Sequence, residues 1–355
     1  MLRTETINFR YQNTISEPPK APTEMYRQAC TGDAVTVNTW FHTWVENFSS
    51  AKKKFGNLGD HSVGKLHGTN KNKPAIVIGS GPSLKNALPK LKTVKDILTI
   101  SCAHNFAYFE DNAEGWHPDY YLSLDAGPII FDDICEGKQE REHYWAATKG
   151  KKLLAYVCSD SRLWDLWQGE IFLFNALIPD EKFRTEIEKI ERFAHYVSSG
   201  GNALGACMYV AKAIMGSNPI IYTGADFCFS YDDKFHAWDS KYDATGTVIR
   251  CTDVYGFPRI TWPSYWNFKH WFDYISLTVP GTWINCSDGT LGAYPEGNLS
   301  SFTYKSLPDA LLQFEINERV YLEAKDSNGK VLSKNEINLK EVFADPTYKE
   351  NIVLF

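Results

Sequence analysis

Residues 75–84, Ala75-Ile76-Val77-Ile78-Gly79-Ser80-Gly81-Pro82-Ser83-Leu84, decide how the rest of the chain is read. Four apolar residues end at a glycine and run straight into a small polar turn. An apolar run this short, closed by glycine, predicts a buried strand. Pro82 suits the first turn of a helix, where its missing N–H costs nothing, so a helix is expected from Ser83. The unit is strand, tight turn, helix.

Working outward, similar runs recur at 97–101, 120–124, 153–157, 171–174 and 219–223. Residues 202–215 read as a buried helix that leads into the last of these. Short apolar strands separated by polar or helical stretches predict an α/β fold with a mostly parallel sheet and helices on both faces. Upstream, a polar arm with Pro18, Pro19 and Pro22 precedes a helix over 23–55 that carries Trp40, Trp44, Val45 and Phe48 on one face. Downstream, residues 230–305 are rich in Trp, Tyr, Gly and Pro, with helices expected over 265–275 and 306–314. Runs at 320–324 and 330–332 flank Asn328-Gly329, a signal for a hairpin with a tight turn. Three segments follow: 1–73, an N-terminal arm and helix; 74–315, the sheet; and 316–355, a C-terminal hairpin and tail.

Composition narrows the function classes. The 355 residues are 43% apolar, ordinary for a globular chain and too high for a disordered one. Lys and Arg number 37 against 43 Asp and Glu, a formal charge of −6, without the broad basic footprint that duplex nucleic acid demands. A local basic groove can still sit inside an acidic total, which leaves a nucleic-acid acceptor open. No apolar run reaches the length of a membrane span, and residues 1–10 lack the apolar middle of a signal peptide. The eight cysteines include no C-x-x-C pair and several lie within apolar runs, as small buried hydrophobes in a reducing cytoplasm do. The expected location is cytoplasmic.

Four features could carry chemistry. Gly79-Ser80-Gly81-Pro82-Ser83 lets backbone approach a ligand closely and offers free N–H groups to an anion; a ligand-free turn would use the same glycines. It is neither the G-x-G-x-x-G fingerprint nor a Walker A loop. Ser199-Gly200-Gly201-Asn202 precedes the second buried helix and offers similar donors, or a plain cap from Ser199 or Asn202. Asn105, Asp125 and Asp226 stand at strand ends, where a carboxylate can grip ribose hydroxyls or hold Mg²⁺, or merely cap a helix. The adjacent pairs Asp132-Asp133 and Asp232-Asp233 read as solvated loop charges. His236, ten residues after Asp226, could be a general base or a phosphate donor at an ordinary imidazole pKa, or only an exposed histidine.

In this order, G-x-G-P-S-L at Gly79–Leu84, a strand ending in Asp125, Ser199-Gly200-Gly201 before a helix, Gly224-Ala225-Asp226, His236-Ala237, then Asn285 with Asp288-Gly289, the sequence resembles the MptE-like family. That family is named for 6-hydroxymethylpterin diphosphokinase, includes the motility accessory factor (Maf) glycosyltransferases, and is similar to bacterial sialyltransferases. The series spans roughly residues 40–315. No single motif is specific; their ordered series is.

The resemblance implies a Rossmann-like sheet that binds a nucleotide or nucleotide-sugar donor through Ser80, Gly81, Pro82, Ser83, Asn105, Ser199 and Gly200. Two departures stand out: residues 255–263 hold no counterpart of the sialyltransferase general-base histidine, and the usual Gly-Gly reads Asp288-Gly289-Thr290. The expected activity is a glycosyltransferase with a nucleotide-activated sugar, in which Asp125, Asp226 or His236 serves as base or hydroxyl anchor. A second reading is a Mg²⁺-dependent diphosphokinase acting on a hydroxymethyl heterocycle, with Asp125 and Asp226 on the metal. A third is a nucleotide-binding protein without turnover. Protein side chain, glycan, small metabolite and modified nucleic-acid base all remain open as acceptor.

Overall fold

The computed structural model describes residues 14–15, 22–127, 131, 134, 141–178, 180–238, 247–293, 300–315, 319–325 and 331–338, with backbone only over 14–15, 22–35, 319–325 and 331–338 and at 141, 313 and 315. The Asp132-Asp133 pair, Cys135 and the Asn328-Gly329 turn lie outside the described residues. Two compact units divide the chain, Met1–Lys305 and Ser306–Phe355.

In chain order the strands of the first unit are β1 (Thr14–Ile15), β2 (Ala75–Ile78), β3 (Leu98–Cys102), β4 (Tyr120–Ser123), β5 (Lys152–Tyr156) and β6 (Glu170–Ala176). They continue with β7 (Tyr196–Val197), β8 (Ile220–Thr223), β9 (Val248–Thr252), β10 (Pro258–Thr261), β11 (Trp283–Asn285) and β12 (Phe302–Tyr304). Among the described residues, nine form one sheet in the order β12-β11-β8-β2-β3-β4-β5-β6-β7. Every neighbouring pair in it is parallel. All four residues of β2 are fully buried, as a strand covered on both faces must be. β1, β9 and β10 form a small separate sheet. In the second unit, β13 (Arg319–Lys325) and β14 (Val331–Asn338) make an antiparallel hairpin after a helix, Leu307–Glu315.

The strand order locates the site. From β2 the chain steps outward in one direction to β7, then returns to place β8 on the other side of β2. Between β2 and β8 the winding reverses, and in such sheets ligands bind at the carboxyl ends of the strands flanking that reversal. Helix Leu84–Leu91 leaves the end of β2, and helix Ala203–Tyr209 feeds β8. The latter widens into a π turn over Val210–Ile214, a departure from the uniform helix expected over 202–215. Helix Pro22–Phe55 packs along helix Pro263–Thr278, which begins on Pro263 and outruns the expected 265–275 at both ends.

Candidate functional site at the strand reversal

Because β2 and β8 pair through Ile78 and Thr223, the chains leaving them start side by side. Gly79 N–H donates to Thr223 O (2.8 Å) and Gly81 N–H to Gly224 O (2.8 Å). A Cβ on Gly79 would stand 2.3 Å from Gly224 O, and one on Gly224, at φ +65°, 2.5 Å from Gly79 O. These glycines are required by each other. On Gly81 a Cβ would stand 2.1 Å from Asp226 Oδ2. That oxygen accepts from Ser83 N–H (3.0 Å) and Ser83 Oγ (2.9 Å). The anion at the start of helix Leu84–Leu91 is therefore the protein's own Asp226, and Ser83 N–H is already taken. Asp226 is held in turn from behind: its carbonyl accepts from Thr290 N–H (2.8 Å), Gly289 packs against its backbone, and Ala225 N–H donates to Ser287 Oγ (2.8 Å). The Asp288-Gly289-Thr290 variation is thus a backbone clamp.

Asn105 is fully buried and donates to Gly79 O (3.0 Å) and Ser101 Oγ (2.8 Å), so it braces the glycine turn from inside the sheet. Gly79, Ser80, Gly81, Asp125, Asn202, Asp226 and His236 line one cavity of about 190 Å³. Pro82 and Ser83 face a larger hollow beyond Asp226. Ser199 and Gly201 line a neighbouring aromatic pocket with Trp40, Trp44 and Tyr156, which meets the main cavity at Leu124 and Asp125. Gly200, at φ +59°, lies where a Cβ would strike the Trp271 ring (2.3 Å) and lines neither of these two spaces. Ser199 Oγ accepts from Gly201 N–H (3.1 Å), and the Asn202 side chain caps its helix by accepting from Gly205 N–H (2.8 Å).

The titratable groups are unusual. Burial pushes Asp226 up to about 6 against the opposing pull of both Ser83 hydrogen bonds; Asp288 adds to the rise and Arg259 works against it. Asp125 opens onto the cavity, yet protein surrounds it on its other sides and that desolvation raises its pKa. His236 does not keep an ordinary imidazole value: burial, then the nearby His104, push it down to about 2. Its ring lies 4.7 Å from that of His104 and stacks on Trp238 at 4.8 Å, and Nδ1 has no hydrogen-bond partner among the described residues. Burial and His104 both favour the neutral ring. His104, beside Asn105 at the end of β3, was readable as a strand-end polar residue; Phe235, Tyr265 and Phe268, also in the wall, carried no signal beyond a general aromatic density.

The cysteines Cys102, Cys158, Cys207, Cys228, Cys251 and Cys286 are free thiols, all but Cys286 buried. No helix among the described residues is long and apolar enough to cross a membrane.

Fold and site together define a parallel α/β protein with its candidate ligand cavity at the reversal of strand order. The family described as 6-hydroxymethylpterin diphosphokinase MptE-like matches residues 48–232, more than half of the chain, and the chain belongs to that family. A solved structure, the MAf glycosyltransferase from Magnetospirillum magneticum AMB-1, superposes with a TM-score of 0.53 at 17% identity. The match covers 77% of this chain and 40% of that one, so it spans less than half of that protein; the likeness is one of fold. Among curated proteins no relative matches the sequence.

Proposed function

We propose that this protein is a glycosyltransferase that takes a nucleotide-activated sugar in the cavity between β2 and β8. The observation that carries the reading is convergence: residues from four separate loops, Gly79–Gly81, Asp125, Asn202 and Asp226 with His236, meet in one cavity at the switch point. The Maf structure that shares the fold is named a glycosyltransferase. In the reaction an acceptor hydroxyl oxygen bonds to the anomeric carbon while the bond from that carbon to the phosphate oxygen breaks. The nucleotide leaves with the electron pair, and the hydroxyl proton goes to a base. Asp226 suits that role because a pKa of about 6 lies near the operating pH. His236 stays neutral and holds the acceptor hydroxyl through a ring nitrogen. Asp125 anchors a donor hydroxyl from the opposite wall.

The diphosphokinase named in the family description is the second reading. Its Mg²⁺ would need Asp125 and Asp226, the two carboxylates of the cavity wall. They fit the ion poorly, because Asp226 Oδ2 already accepts from both Ser83 N–H and Ser83 Oγ and only its other oxygen is left to meet a cation. Thermal-shift titration with cytidine, uridine and adenosine nucleotides and their sugar conjugates, with and without Mg²⁺, separates the readings. A pyrimidine nucleotide should stabilise the protein by about 3 kcal/mol at a hundredfold excess over its Kd, with or without the metal. Stabilisation by ATP alone, and only with Mg²⁺, would transfer the argument to the kinase.

A further inference from the structure

Beyond Asp226 and His236, which line both spaces, lies a hollow of about 840 Å³, within the size range of small-molecule sites. Its walls carry aromatic rings left in water: Phe257 is 57% exposed, Tyr255 50% and Tyr231 42%. Exposed rings are ordinary when scattered and informative when they gather in one concavity. One carboxylate orders the backbone that carries Tyr255 and Phe257 and holds the hydroxyl of Tyr231. Asp253 Oδ1 accepts from Tyr255 N–H (3.0 Å) and Phe257 N–H (2.9 Å), and its Oδ2 accepts from Arg259 Nε (2.9 Å) and Tyr231 Oη (3.1 Å). Asp253 itself is buried, and the Arg259 guanidinium lies 3.4 Å from the Tyr231 ring centroid. A site ordered before its ligand arrives loses less entropy on binding.

Between the rings stand polar groups: Asp288, which accepts from Tyr255 Oη (2.9 Å), and the side chains of Asp232, Asn86 and Asn112. Lys85, Lys234 and Arg259 are matched by Asp226, Asp232 and Asp288, so the walls present no field of one sign. A phosphate backbone would meet carboxylates there, which disfavours a nucleic-acid ligand. The complement of flat apolar faces interleaved with carboxylates and amides is a ring with an apolar C–H face and a rim of hydroxyls.

We propose that this hollow is a binding site for a neutral carbohydrate. On the glycosyltransferase reading above, that carbohydrate is the acceptor, presented to the donor across Asp226 and His236. The test incubates the full chain on an array of neutral oligosaccharides, without nucleotide, and repeats it with Phe257→Ala and Asp288→Asn. Wild type should retain at least one glycan, and Phe257→Ala should weaken that retention about tenfold, the loss of one stacked ring. Phe257 is too exposed for the change to disturb folding, and the nucleotide thermal shift of the variant serves as control. Retention of no neutral glycan overturns the assignment. So does retention that survives Phe257→Ala, or Phe257-dependent capture of an oligoribonucleotide or peptide probe in place of sugar. If glycans bind through Phe257 while no nucleotide shifts the melting curve, the carbohydrate site stands and the transferase reading falls.

Discussion

Asp226 concentrates the chemistry in one buried carboxyl group. It caps the helix after β2, closes over Gly81, and lines both the cavity at the strand reversal and the hollow beyond it. Its pKa of about 6 has two consequences of opposite kind. As the base it must be ionised, so activity should rise with pH through about 6 and flatten above. As a buried acid it binds its proton more tightly folded than unfolded. The folded state therefore gains from protonation below about 6, and the stability so gained is lost as pH rises from the ordinary carboxyl value towards 6. Asp226→Asn keeps an oxygen for Ser83 and never ionises. It should abolish the pH-dependent limb and most turnover, yet be more stable than wild type at pH 7 by on the order of 2 kcal/mol. Rate–pH profiles and urea melts at pH 5 and 7 check both halves. Wild-type turnover in the variant would show that Asp226 is a cap and nothing more. His236, held neutral across this range by its burial, should leave the limb in place when changed to Ala.

Two turns and one clamp build the site, and they differ in how far the sequence disclosed them. β2 and β8 were plain because strands buried on both faces read as unbroken apolar runs. β7, β11 and β12, of two or three residues each, fall below the length at which any period shows. The glycines of 79–81 were visible, but not their reason: the Ser83–Asp226 bond joins positions 143 apart, and no local pattern encodes it. The same holds for Gly289, whose Cβ would stand 2.0 Å from Asp226 O. Close approach here is to protein, so substitution should damage the fold as well as the site. Gly81→Val, which drives into the Asp226 carboxylate, and Gly289→Ala, which drives into the Asp226 backbone, should each cost about 2 kcal/mol or more by overpacking, and nucleotide affinity should fall with it. Chemical melts beside calorimetric titration would reveal a variant that loses affinity at full stability, which would place the close contact with the ligand instead.

Helix Pro22–Phe55 belongs to the same compact unit as the sheet, and its loss should be felt by the whole unit. Val37, Trp44, Phe48 and Ala51 are buried, and the Trp44 ring meets Tyr156 at 5.7 Å and Phe183 at 5.4 Å. Asn47 donates to Ala126 O (3.1 Å) and Cys158 O (2.9 Å), tying the helix to the loop that carries Asp125. The Trp40 ring would be the first thing a Cβ on Gly127 met, at 3.3 Å, so the helix also backs the aromatic pocket beside the cavity. A chain that begins at residue 57 strips cover from Tyr156 and Phe183 as well as removing its own apolar side chains. Burying three large side chains contributes roughly 6 kcal/mol, comparable with the entire net stability of a typical domain. Such a chain should lack a cooperative thermal transition and bind no nucleotide, whereas Asn47→Ala, which removes only the tie, should melt cooperatively at a lower Tm with weakened donor binding. Calorimetry of both against the full chain decides the matter: a truncated protein that melts cooperatively near the full-length Tm would make the helix an independent arm, and the sheet would then have to hold its site without it.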